Sequence, residues 1–71
     1  MERTTVYSSV IVSIGYLASS RTLEIEFKRG TIYQYSNVPE YIFDGLMDSS
    51  SKGDYFDNNI KKAGYGYRQV R

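Results

Sequence analysis

The chain has 71 residues and a formal net charge of +1, with no cysteine and no histidine. Those absences exclude a disulfide scaffold, the usual zinc site and any cysteine or histidine nucleophile or base, and they suit a reducing cytosol. A chain this short forms one domain, residues 1–71, that buries about 60% of its unfolded surface and can spare few of its large apolar side chains.

The segment "MERTTVYSS" lacks the apolar centre of a signal peptide, and the apolar run Val10–Val12 is far short of the ~20 residues a membrane span needs. The expectation is a cytoplasmic chain with no membrane role. From Val10 to Tyr16 the residues alternate, with Val10, Val12, Ile14 and Tyr16 on one face and Ile11, Ser13 and Gly15 on the other. Period two with β-branched residues predicts a strand with one buried face. "LASSR" is a turn. Thr22 to Lys28 alternates more cleanly, with Leu23, Ile25 and Phe27 facing in.

"FKRGT" then allows two hairpins. A two-residue Arg29-Gly30 turn pairs Phe27 with Ile32 and sends Tyr33 and Tyr35 to the outer face. A three-residue Lys28–Gly30 loop with a G1 bulge pairs Phe27 with Thr31, setting Tyr33 beside Ile25 and Tyr35 beside Leu23 on the core face. The second asks for a positive φ only at glycine, so it is the favoured register.

In "SNVPEYIFDGLMDSS", Pro39 fits the first helical position, and Ile42 with Leu46 and Phe43 with Met47 make i,i+4 pairs. Gly45 weakens this helix by roughly 1 kcal/mol, which implies a close crossing, with a strand as the expected neighbour. "SSSKGDYFDNNIKKAG" predicts a second helix, with Ser51 and Asp54 resembling a capping box, Phe56 and Ile60 on one face and Gly64 as an αL cap. "YGYRQV" closes with a short strand, Tyr65, Tyr67 and Gln69 facing opposite to Arg68 and Val70. The predicted order is β-β-β-α-α-β, an α+β fold with a small antiparallel sheet of three to four strands and two helices on one face.

Charge is unevenly spread. Residues 1–50 carry four basic against six acidic side chains, and residues 51–71 carry five against two. Eight tyrosines and three phenylalanines, without tryptophan, supply rings suited to half-buried positions. Cationic side chains beside exposed aromatics can grip phosphates and stack bases. Lys52, Tyr55, Lys61, Lys62, Tyr67 and Arg68, together with Tyr65, are the candidate nucleic-acid-binding residues. Tyr33 and Tyr35 would join them only in the outward register, where Glu24 and Glu26 would repel phosphate. A Ser50 or Ser51 pairing with Lys52 is conceivable as a catalytic dyad, but serines in this position are commonly caps, and no catalytic residue is assigned. The Walker pattern is absent from "SSSKG", which leaves a helix start able to hold at most one phosphate. No spacing gathers carboxylates for a metal, and no cofactor is expected.

Taken together, "IGY", "LEIEF", "YQYSNVP" and "SSKGDYFDNNIK" resemble the KTSC domain family, named for its occurrence at the C-terminus of some lysyl-tRNA synthetases. The resemblance runs from about Val10 to Tyr67. Its most specific pieces are Tyr33, Gln34, Tyr35, Val38 and Pro39, then Ser51, Gly53, Tyr55 and Phe56, of which Tyr33, Tyr35, Val38, Pro39, Gly53 and Phe56 are expected to be structural. For function it implies an uncharacterised domain for which RNA binding is suggested by the synthetase connection. Joined to the residue chemistry above, the expectation is a small non-enzymatic binding module, with RNA, either tRNA or single-stranded, as the suggested partner. The alternative is a protein partner or a homodimer, met through tyrosine-rich surface or an unpaired strand edge.

Overall fold

A computed structural model describes residues 1–71. Its strands are β1 (Thr4–Thr5), β2 (Ile11–Leu17), β3 (Thr22–Phe27), β4 (Ile32–Tyr35) and β5 (Tyr67–Gln69), joined in one antiparallel sheet of order β1-β2-β3-β4-β5. Between β4 and β5 the chain forms α1 (Glu40–Asp48) and α2 (Lys52–Phe56), the latter continuing into a π-helical turn, Asp57–Lys61. The α+β class and the two helices on one face agree with the pattern in the residues. The sheet has five strands rather than three to four. The additional one, β1, is two exposed threonines paired with Ile14 and Ser13, and it carries no apolar alternation that could announce it.

Strict alternation misplaces the start of β2. Ile11 pairs with Phe27 and Ser13 with Glu26, so Val12 is the extra residue of a β-bulge. The bulge turns Ile11 onto the helix-covered face, where it is fully buried beside Ile14, and leaves Val10 45% exposed. The Val12 carbonyl accepts the Val6 N–H, which ties the irregularity to the N-terminal segment.

The β3–β4 hairpin takes the three-residue loop. Gly30 has φ +98° and donates its N–H to the Phe27 carbonyl, and the Phe27 N–H donates to Thr31. Leu23 therefore faces Tyr35 and Ile25 faces Tyr33. Both tyrosines lie on the helix face: Tyr35 is buried and Tyr33 half-buried. The core joins Ile11, Ile14, Leu23 and Ile25 of the sheet to Leu46 of α1 and to Phe56 and Ile60 of the second helix.

The "NVP" stop is a buried clamp. Asn37 takes φ +60°, after which the Val38 N–H donates to the Arg21 carbonyl at 2.9 Å and the Val38 carbonyl accepts the Tyr16 hydroxyl at 2.5 Å. Val38 is fully buried, so three separate segments meet at this one residue. Pro39 stands one position earlier than expected, as the N-cap of α1. Gly45 is crossed closely by a helix rather than a strand: a Cβ there would run into the Tyr55 ring.

Two local expectations at the second helix change. The Ser51 side chain makes no capping hydrogen bond; the Ser49 hydroxyl accepts the Ser51 N–H instead. The helix also widens after Phe56, and Lys62 donates to Asp57 five residues back. The Asn59 amide donates to the Tyr55 carbonyl and so takes the acceptor that an α-helical Asn59 N–H would use. Gly64, with φ +84°, follows as anticipated.

Candidate nucleic-acid interface

The sheet is wider than its helical cover. Tyr16 of β2 stacks on Phe43 of α1, with centroids 4.9 Å apart, and Phe27 and Tyr35 meet Phe56 edge-on at 5.3 and 5.6 Å. Phe56 thus sits above the seam between β3 and β4. Strand β5 adds roughly 4.8 Å of width beyond it. Tyr67, paired with Tyr35, points to the same face yet is 66% exposed. The uncovered strip and the wall of the second helix enclose a groove of about 930 Å³.

One part of this groove is aromatic. Tyr33, Tyr35 and Tyr67 form a ring cluster with centroid separations of 5.8 to 6.3 Å, and Tyr65 and Lys61 lie on the helix side. The other part is cationic, formed by Lys28 and Arg29 of the hairpin with Lys52, next to the Ser8–Val10 loop. Gly53 lets that loop approach the helix, because a Cβ at this position would stand 2.8 Å from Val10 Cγ2. The Lys28 N–H donates to the Val10 carbonyl and closes the same corner.

Four cationic side chains line the groove against two carboxylates, Asp54 and Asp57. None of the four forms an ion pair. The salt bridges of the molecule join Arg3 to Glu24 and Glu26, and Arg71 to Glu26. Those glutamates alternate with Leu23, Ile25 and Phe27 along β3 and therefore face away from the groove. Lys52 donates to the Ser49 carbonyl at 2.8 Å, which fixes its ammonium near the end of α1. Burial pushes the Tyr35 phenol up to about 12, with Tyr33 and Tyr67 adding to the shift, so it remains a neutral donor at ordinary pH.

Of the residues proposed from sequence, Lys52, Lys61 and Tyr67 come together in the groove, as does Tyr65. Tyr55 packs beneath Gly45 on the α1 side of its helix. Lys62 lies exposed beyond the π turn, outside the lining. Arg68 points to the opposite face, where it donates to Gln34 Oε1. Sequence reasoning passed over Lys28 and Arg29, whose signal was their place beside the hairpin glycine. It also tied the reach of Tyr33 and Tyr35 to the outward register. Both line the groove from the inward register, Tyr33 half-buried and Tyr35 buried against Phe56 at its wall.

No helix is long and apolar enough to cross a membrane. The family model described as the KTSC domain matches residues 7–65. A protein of Stutzerimonas stutzeri is 33% identical over 70 residues, which is 99% of each chain. A lysine–tRNA ligase of Nostoc punctiforme is 40% identical over 53 residues, which is 75% of this chain but 9% of that enzyme. The crystal structure of a KTSC domain protein from Yersinia pestis superposes with a TM-score of 0.90 at 42% identity, covering 99% of this chain and 97% of the other. With matching sequence, matching length and the same fold, the chain belongs to the KTSC domain family.

Proposed function

We propose that this domain is a non-enzymatic binding module that holds single-stranded RNA in the tyrosine-lined groove. The observation that carries the reading is the pairing of unneutralised cations with half-exposed rings in one concavity, while the acidic pair of β3 is turned to the far side. Lys28, Arg29, Lys52 and Lys61 supply the charge that a phosphate backbone requires, and Tyr67 offers a ring face for a base. The occurrence of a matching segment in proteins named as lysine–tRNA ligases supports an RNA ligand in the cytoplasm. Binding rather than catalysis is favoured because the chain has neither cysteine nor histidine, and the Lys52 ammonium is engaged by a carbonyl instead of a serine hydroxyl.

Fluorescence-anisotropy titration with tRNA and with an unstructured RNA oligonucleotide at two salt concentrations tests this. Lys28→Ala with Arg29→Ala should weaken binding and lower the salt slope by about 0.7 for each phosphate that the variant no longer neutralises. Lys62→Ala should change little. Absence of binding at low salt would sink the proposal. A second reading, association with a protein or a second copy, draws on the exposed three-residue edge strand β5. It predicts a salt-insensitive dimer or complex in size-exclusion chromatography.

A further inference from the structure

Resting on that RNA reading, we propose that Tyr35 is the base-recognising residue of the groove. Its hydroxyl takes the polar edge of one unpaired base that lies against Tyr67.

Tyr35 is only 7% exposed, yet no protein group hydrogen-bonds its hydroxyl. A hydroxyl in a groove wall that no protein group engages is open to the polar group of a ligand. The neighbouring tyrosines behave differently: Tyr16 donates to the Val38 carbonyl, and Tyr33 reaches Gln69 Oε1 at 3.3 Å. The single buried side-chain oxygen that is both inaccessible and unpartnered is Thr31 Oγ1, at the hairpin end. The Tyr35 hydroxyl is not inaccessible in that sense, and the residue lines the groove, so its residual exposure opens onto the groove.

The surroundings select the ligand's chemistry. Phe56, Tyr33 and Tyr67 bracket Tyr35 with rings at 5.6, 6.3 and 5.8 Å. This is an environment for a flat, largely apolar group carrying a few acceptors and donors, as a nucleobase does. The fixed charges at the hairpin, Lys28 and Arg29, suit the phosphates. A phenol that stays protonated can donate to a ring nitrogen or carbonyl and accept from an exocyclic amine.

The test uses the full chain and two probes of equal length: a ten-nucleotide RNA of mixed, unpaired sequence and a ribose-phosphate oligomer without bases. Tyr35→Phe removes only the partnerless hydroxyl, so the midpoint of thermal unfolding should not fall. The variant should bind the RNA about five- to tenfold more weakly, the effect of one lost hydrogen bond. It should bind the baseless oligomer as the parent protein does. Tyr67→Ala should remove the remaining preference for the base-bearing probe by about tenfold or more. Equal binding of the RNA by parent and Tyr35→Phe overturns the inference while leaving RNA binding intact. An equal loss on both probes also overturns it, by assigning the hydroxyl to the backbone. A parent protein that binds neither probe overturns both this inference and the proposed function.

Discussion

The two faces of the sheet use the same kinds of side chain to opposite ends. On the outer face, Arg3 donates to Ser13 and pairs with Glu24, Ser13 donates to Glu26 at 2.8 Å, and Gln34 donates to Glu24 at 2.7 Å. Arg71 reaches Glu26 at 3.0 Å from the other end of the chain. Every charge in that network is answered by another from the same molecule, and Glu24 is buried beneath it with 5% of its surface exposed. On the helix-covered face, Lys28, Arg29, Lys52 and Lys61 border a ring-lined groove and have no anionic partner. A cation already neutralised by its own chain contributes to folding, whereas an unneutralised one beside a concavity is available to a ligand. Counting charges per segment cannot see that distinction, because it depends on which face each residue takes.

The largest effect should come from breaking the layer that the groove leans on. Phe56→Ala removes the ring meeting both Phe27 and Tyr35 and should cost about 3–5 kcal/mol in urea unfolding. A loss below about 1 kcal/mol would mean that the ring is not part of the core. On the other face, Arg3→Ala strands a buried carboxylate and should cost about 2 kcal/mol by the same measurement. If the variant proved as stable as the parent, the outer network would be ornamental.

Acid should act on the outer face through Glu24. Burial pushes the Glu24 carboxyl up, but hydrogen bonds from Gln34 and Arg3 and the Arg3 charge outweigh it, and the net value lies below the ordinary 4.5. Its stabilisation is therefore complete above about pH 4.5 and is lost as pH falls through the lower folded value. Glu24→Gln should flatten that acid limb of the stability profile; an unchanged limb would assign it to other carboxylates.

Base should act on the groove face through Tyr35. The Tyr35 phenol, raised from 10.0 to about 12, keeps its proton longer in the folded state, so its contribution is intact below pH 10 and is lost as pH rises toward 12. A spectrophotometric titration should show a tyrosine titrating at about 12 that is absent in Tyr35→Phe, whereas Tyr55, also raised by burial, should persist in that variant. The smallest effect sharpens the contrast most. Lys28→Ala with Arg29→Ala should shift stability by no more than about 0.5 kcal/mol while weakening RNA binding. A large loss of stability would place these side chains among the structural charges.

Much of the fold was readable residue by residue. The alternation of β3 held along its length, and Gly30 selected the hairpin register by being the loop residue that tolerates a positive φ. The i,i+4 pairs of α1 and the Phe56–Ile60 pair also lie where expected. β1 was invisible because two exposed threonines have no pattern, and they pair only once β2 exists. The bulge at Val12 was hidden because three β-branched residues in a row fit either phase of the alternation. Lys52, Lys61 and Tyr67 were foreseeable as site candidates from charge and aromaticity, but the separation of Tyr55 and Arg68 from them was not.

By itself the sequence determined the class of fold and a basic C-terminal third, and it favoured the inward turn of the tyrosine pair that the hairpin register then established. These follow from local periodicity and from single-residue φ preferences. Only the tertiary structure decided that five strands outreach two helices, that Tyr35 is covered while Tyr67 is not, and that Lys28 and Arg29 share a groove with Lys61. Those outcomes depend on the relative widths of the two layers and on the meeting of residues far apart along the chain, which no local pattern encodes.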